Sequence, residues 1–198
     1  DTLAFEIDEK GNPYWIAPVY NYKIGLFGGK DITGAVLVNA INGDHEYYDI
    51  DKVPEWVDRA YPAELVLSQL ENYGKYTNGY FNTLFSQKGV LQPTSGYNYV
   101  AINDDVYLYT GLTSVSNDAS NVGFAMINLR TKDGKYYNIS GAEEYSAMSS
   151  AEGQVQNLKY TATFPILINA GGQPTYFLSL KDDAKLVKKY AFVSVENY

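Results

Sequence analysis

The stretch Gly34-Ala-Val-Leu-Val-Asn-Ala-Ile-Asn-Gly-Asp-His-Glu-Tyr-Tyr-Asp-Ile50 returns, without a gap, as Gly123-Phe-Ala-Met-Ile-Asn-Leu-Arg-Thr-Lys-Asp-Gly-Lys-Tyr-Tyr-Asn-Ile139. The leading glycine, Asn39/Asn128, Asp44/Asp133, the Tyr-Tyr pair and the closing isoleucine are identical. Internal similarity of this kind restricts a chain to architectures in which one supersecondary unit is used more than once. Each copy reads as strand, turn, strand. Asn42-Gly43 and Asp133-Gly134 are the turn dipeptides, so positive φ is expected at Gly43 and Gly134.

A second hairpin pattern accompanies each copy. Ile7 to Val19 resembles Ile168 to Leu180, and Val100 to Tyr109 is a tighter version between them. The last copy continues through Lys189 to Val195, so the β-rich unit occurs about two and a half times. Helical spacing appears between the copies. Asp51 and Pro54 mark a helix start, Pro62 a restart, and Ala63 to Asn72 carries Val66, Leu67, Leu70 and Tyr73 on one face. Tyr80 to Phe85 suits a short helix. A third runs from about Ala142 to Leu158, expected to lie on a sheet through Tyr145, Met148 and Val155. Strand pairs alternating with helices predict an α+β fold of repeated antiparallel units with helices packed on one face. The expected division is residues 1–50 as a partial first unit, 51–140 as a second and 141–198 as a third.

Charge bears on the choice of partner. With 15 basic and 23 acidic residues in 198, the formal charge is −8. Binding to phosphate backbones needs clustered Lys and Arg, so nucleic acid is an unsuitable partner. Lys185, Lys188 and Lys189 form the densest basic group, which reads as a solvated strand edge. The absence of cysteine excludes disulfides, thiolate metal sites and a cysteine nucleophile. No apolar run approaches transmembrane length. Both ends fall within strand-like patterns, as expected of a piece of a longer polypeptide.

The chemistry-bearing residues form no recognised catalytic set. His45, the one histidine, falls in a turn with no orienting partner in sequence. Neither Gly-x-Ser-x-Gly nor Ser-x-x-Lys occurs. Asp104-Asp105 and Asn117-Asp118 offer oxygens to calcium without the spacing of a cage, and Ser116-Asn117-Asp118 reads as a turn. Glu143-Glu144 opens a helix, where negative charge suits the dipole and no raised pKa is expected. Gly25-Leu-Phe-Gly-Gly29 lacks the spacing of a phosphate loop. No cofactor or metal follows from any of these.

Tyrosine is the outlier, at 20 residues of 198. Tyrosine suits half-buried sheet faces and wet interfaces. Tyr107, Tyr109, Tyr136, Tyr137 and Tyr176, with Tyr190 beside them, are therefore the expected binding surface. Trp15, Trp56, Phe27 and Tyr22 could form another aromatic surface, with core packing the expected place of the two tryptophans.

The segment Gly34 to Asn39, Asn42-Gly43 and Glu46-Tyr47, and again Gly123 to Tyr137, resembles the PepSY-like family of bacterial extracytoplasmic domains. The helix from Ala142 followed by three strands matches that family's order. The resemblance implies a helix-plus-three-strand unit in a secreted or membrane-attached protein. It also implies a non-enzymatic role, regulating, inhibiting or scaffolding other proteins. Its partner would be another protein or the rest of its own longer chain, with membrane contact only through segments outside this stretch. Two alternatives come from other classes: a module binding cell-wall polysaccharide, suggested by the aromatic content, and a hydrolase whose site forms only in three dimensions.

Overall fold

The computed structural model describes residues 3–23, 29–85, 87–115 and 121–196. Three antiparallel sheets dominate it. The first is a meander of β1 (Ala4–Ile7), β2 (Pro13–Tyr22), β3 (Lys30–Asn39) and β4 (His45–Asp49), paired in that order. Helices α1 (Ala63–Tyr76) and α2 (Tyr80–Phe85) follow. The second sheet runs β5-β7-β8-β9, from β5 (Leu91–Pro93), β7 (Asp105–Ser114), β8 (Asn121–Asn128) and β9 (Gly134–Tyr137); β6 (Asn98–Ile102) also pairs with β7. After α3 (Glu144–Gln154) comes the third sheet. There β12 (Gln173–Lys181) is flanked by β10 (Thr161–Ala162) and β11 (Ile166–Ala170), and also pairs with β13 (Val187–Ser194).

This mostly β architecture corrects the α+β expectation of repeated units with helices packed on one face. The meander recurs in each sheet, with helices before the second and third. Sequence periodicity located α1, α2 and α3 near their observed places. The helix expected to start at Asp51 is only a 3-10 turn, Ile50–Lys52. On α3 the inward residues are Glu144, Ala147 and Ala151, with Met148 and Val155 alongside; Tyr145 sits on the flank, edge-on to Phe164.

The chain divides into two compact units. The first comprises Asp1–Gln69, Ala101–Leu108 and Ile127–Gly134; the second comprises Leu70–Val100, Tyr109–Met126 and Lys135–Tyr198. In the first, the period-2 alternation of β1 to β3 turns Ala4, Ile16, Ala35 and Leu37 inward, where all four are buried. In the second, α3 lies on β10, β12 and β13. Its alanines pack with Tyr109, Phe124, Tyr176, Leu178, Leu180 and Val193, and their small size lets the helix approach the sheet closely.

The two similar hairpins share their local chemistry. Asn39 and Asn128 each hold the turn: their side-chain oxygens accept the N–H groups of Ile41 and Asn42, and of Arg130 and Thr131. Tyr47 lies over Gly34 and Tyr136 over Gly123, where a Cβ would come within 2.7 Å of each ring. The left-handed residue is Gly43 in the first turn (φ 81°) and its ungapped counterpart Lys132 (φ 67°) in the second. Gly134 has no positive φ, which corrects the turn read from Asp133-Gly134. Gly43 and Lys132 each donate their N–H to the turn asparagine's carbonyl at 2.9 Å, and the Lys132 ammonium also reaches Asp31 at 2.8 and 2.9 Å.

Candidate functional site

Two arrangements have the residues for function: a buried carboxyl in the second unit and an exposed apolar sheet face in the first. The carboxyl is Glu144, fully buried at the start of α3. The Tyr109 hydroxyl donates to its Oε1 at 3.2 Å. Tyr176 donates to the Ala142 carbonyl at 2.9 Å and accepts from Asn121 Nδ2 at 3.2 Å. Asn121 Oδ1 takes the N–H groups of Leu112 and Gly123. Glu144 Oε2 and Thr94 Oγ1 are buried without a hydrogen-bond partner, although the Thr94 hydroxyl is near enough to favour ionisation. Burial outweighs these donors and pushes the Glu144 carboxyl above the usual range. This overturns the expectation of a solvated helix-start glutamate with an ordinary pKa. Burial, then the nearby carboxyl, also pushes the Tyr109 and Tyr176 hydroxyls up. Gly111 and the Tyr109 hydroxyl lie directly against the buried carboxyl.

Tyr109 and Tyr176, expected on a binding surface, are thus interior and exposed to about 1%. Tyr107 is half-buried. Tyr136 and Tyr137 are exposed but already engaged: Tyr136 caps Gly123 and donates to the Val122 carbonyl at 3.1 Å, while Tyr137 stacks on Phe124 at 4.7 Å. Tyr190 is exposed on β13 and stacks on Phe177. These tyrosines do not form one patch: Tyr109 and Tyr176 are interior, and Tyr136, Tyr137 and Tyr190 are engaged within their own sheets.

The larger open surface lies elsewhere. Register puts Phe5, Trp15, Val38 and His45 in one row across the first sheet, and Ala17, Val36 and Tyr47 in the next. Leu3 and Ile7 extend the face at the β1 edge. Phe5 is 45% exposed, Ile7 59%, Trp15 42% and Tyr47 49%. Phe5 and Trp15 meet edge-to-face at 4.9 Å and 62°. At the aligned positions of the second hairpin, Ala125 and Ile127 are buried where Val36 and Val38 are half-open. Trp15 therefore departs from the expected core placement, whereas Trp56 is half-buried against Tyr14. Sequence alternation could place Phe5 and Trp15 on a common face. It could not say that this face stays uncovered.

Other candidates resolve locally. Asp105 is held by Arg130 and Asn128. His45 is exposed, with Nδ1 3.4 Å from the Gly43 carbonyl. Asp31 gathers Lys132, Lys23 and Gln69. Its burial favours the neutral acid, but the two ammonium groups, the Ile32 N–H and Gln69 outweigh it and hold the carboxyl well below the usual range. Tyr22 is exposed. Ser116-Asn117-Asp118, Phe27 and all of Gly25 to Gly29 except Gly29 lie outside the described residues. Among the described residues, no group of three or more His, Asp or Glu could hold a metal, and no helix is long and apolar enough to cross a membrane. No protein-family model, curated protein or solved structure matches this chain.

Proposed function

We propose that this chain is a non-enzymatic binding module that docks a protein partner on the outer face of its first sheet and works outside the cytoplasm. The observation that carries the reading is the run of exposed Leu3, Phe5, Ile7 and Trp15 on one sheet face. Contiguous exposed apolar surface rimmed by polar residues marks interaction sites, and Trp and Tyr are the side chains that most often anchor them. An antiparallel sheet accepts one wet face, so this surface is compatible with a folded free state. Tyr-, Asn- and Gly-rich composition and the PepSY-like segments favour the extracytoplasmic setting. The polysaccharide alternative has no separate observation in its favour, because Trp15 already packs edge-to-face with Phe5.

The test uses the immobilised chain against envelope proteins and purified wall polysaccharide from its source organism. A protein retained by the wild type and lost by Phe5→Ser/Trp15→Ser, with unchanged circular dichroism, is the expected result. Equal retention by both, or retention of polysaccharide alone, would overturn the proposal.

A further inference from the structure

The third sheet has a separate feature that the first-sheet face does not explain. β13 pairs with β12 on one side only; no strand pairs with its other side among the described residues. A groove of about 400 Å3 lies between that strand and α3, lined on the helix by Ser150, Ala151, Gln154 and Val155. Its other wall is formed by the consecutive residues Lys189 to Ser194, so it runs along β13. We infer that this groove takes an extended acidic peptide segment of a partner protein, which adds as a further antiparallel or parallel strand beside β13.

Three observations select that occupant. First, an unpaired edge offers a row of backbone N–H and C=O groups, and an added strand satisfies them while its alternate side chains enter the groove. Second, the groove carries a cation in an acidic chain: Lys189 lines it, against a total charge of −8, while Lys188 beside it is held by Asp182 at 3.2 Å. A second copy of β13 laid on the same edge would bring like charges together, so Lys189 disfavours self-pairing and favours acidic strands. Third, the outer row ending in Phe177, Tyr190 and Phe192 is already an aromatic ladder, at 5.5 and 5.2 Å between rings. A partner strand with an apolar residue at every second position would extend it.

The probe is a capped hexapeptide, Glu-Tyr-Val-Thr-Val-Thr, labelled for fluorescence anisotropy, with Gln in place of Glu as its neutral control. Binding should slow amide hydrogen exchange through residues 188–193 and weaken as salt rises. Lys189→Glu should weaken the acidic probe roughly five- to tenfold, as expected for losing and reversing one exposed charge pair, and leave the neutral probe nearly unaffected. Ser150→Trp, which fills the groove from the helix side, should block both. Both substitutions are outside the buried core, so far-ultraviolet circular dichroism and the thermal midpoint should stay unchanged. Absence of binding, exchange protection elsewhere, indifference to both substitutions, or concentration-dependent dimerisation through β13 would each overturn the inference. Loss of the first-sheet face by Phe5→Ser/Trp15→Ser should leave peptide binding intact, so the two sites fail separately.

Discussion

Replacing Gly111 by alanine would put a methyl carbon 2.1 Å from Glu144 Oε1 and 2.7 Å from both Cδ and Oε2. Ordinary contact begins near 3.4 Å, so the carboxyl would have to retreat by more than an ångström. It is fully buried, and the retreat would break the 3.2 Å bond from Tyr109. Overpacking a closed core costs about 1–3 kcal/mol, and the broken bond adds about 0.5–1.5 kcal/mol. Gly111→Ala should therefore lose roughly 2–4 kcal/mol, which for a chain of this length lowers Tm by roughly 5–15 °C. Glu144→Ala alone should cost about 1–3 kcal/mol by leaving the Tyr109 hydroxyl unpaired. In the double variant the added methyl occupies space that the carboxyl vacates, so the two costs should fall short of their sum by about 1–3 kcal/mol. Glu144→Gln keeps the shape and should give no such relief. Urea unfolding followed by near-ultraviolet circular dichroism of the tyrosines measures the wild type, the single variants and both combinations. Additive losses, or a silent Gly111→Ala, would refute the close contact between this strand and the carboxyl.

Three further perturbations test other parts of the structure. Glu144 has a raised pKa in the fold, so the native state holds its proton more tightly; stability should fall as pH rises from its ordinary value of 4.5 towards the folded value. Glu144→Gln should remove that slope in a pH series of urea melts. Asp31 has the opposite sign: its depressed pKa stabilises the fold above the ordinary 3.8, and the benefit fades as pH drops towards the folded value. Asp31→Asn should cost on the order of 2 kcal/mol at neutral pH, and the gap to wild type should close in acid. In the turns, Gly43→Val should cost about 1 kcal/mol or more because of its positive φ, while Gly134→Val should cost clearly less. Equal Tm shifts for the two would contradict the observed backbone.

The hairpins were legible in the sequence because their determinants are local. Asn39 and Asn128 bond to N–H groups two and three residues on, and such spacing survives in a linear reading. In the second turn Gly134 looks like the left-handed residue, whereas the turn bond to the Asn128 carbonyl puts Lys132 there, at the place that Gly43 takes in the first. Glu144 was misjudged for a different reason. A glutamate at a helix start is ordinarily solvated, and only the approach of Gly111 and Tyr109 from another strand buries this one. Tyr109 and Tyr176 look like Tyr136 and Tyr137 in composition and strand context, yet α3 covers the first pair's side of the core. Which sheet face a helix covers is decided by tertiary packing, and Trp15 shows the converse: an indole read as core that lies on an open face.

The tyrosine that caps a glycine on each similar hairpin has a consequence for how the chain finds its pairing. β4 and β9 are terminal strands of their sheets, held by one neighbour each, and such strands are the ones free to slide. A slip of one residue would carry Tyr47 or Tyr136 to the opposite face, leave Gly34 or Gly123 with no ring above it, and forfeit the tyrosine's bond to the carbonyl of Thr33 or Val122. Each Gly–Tyr pair thus acts as a detent, an aromatic ring seated in the one notch along the neighbouring strand that lacks a side chain.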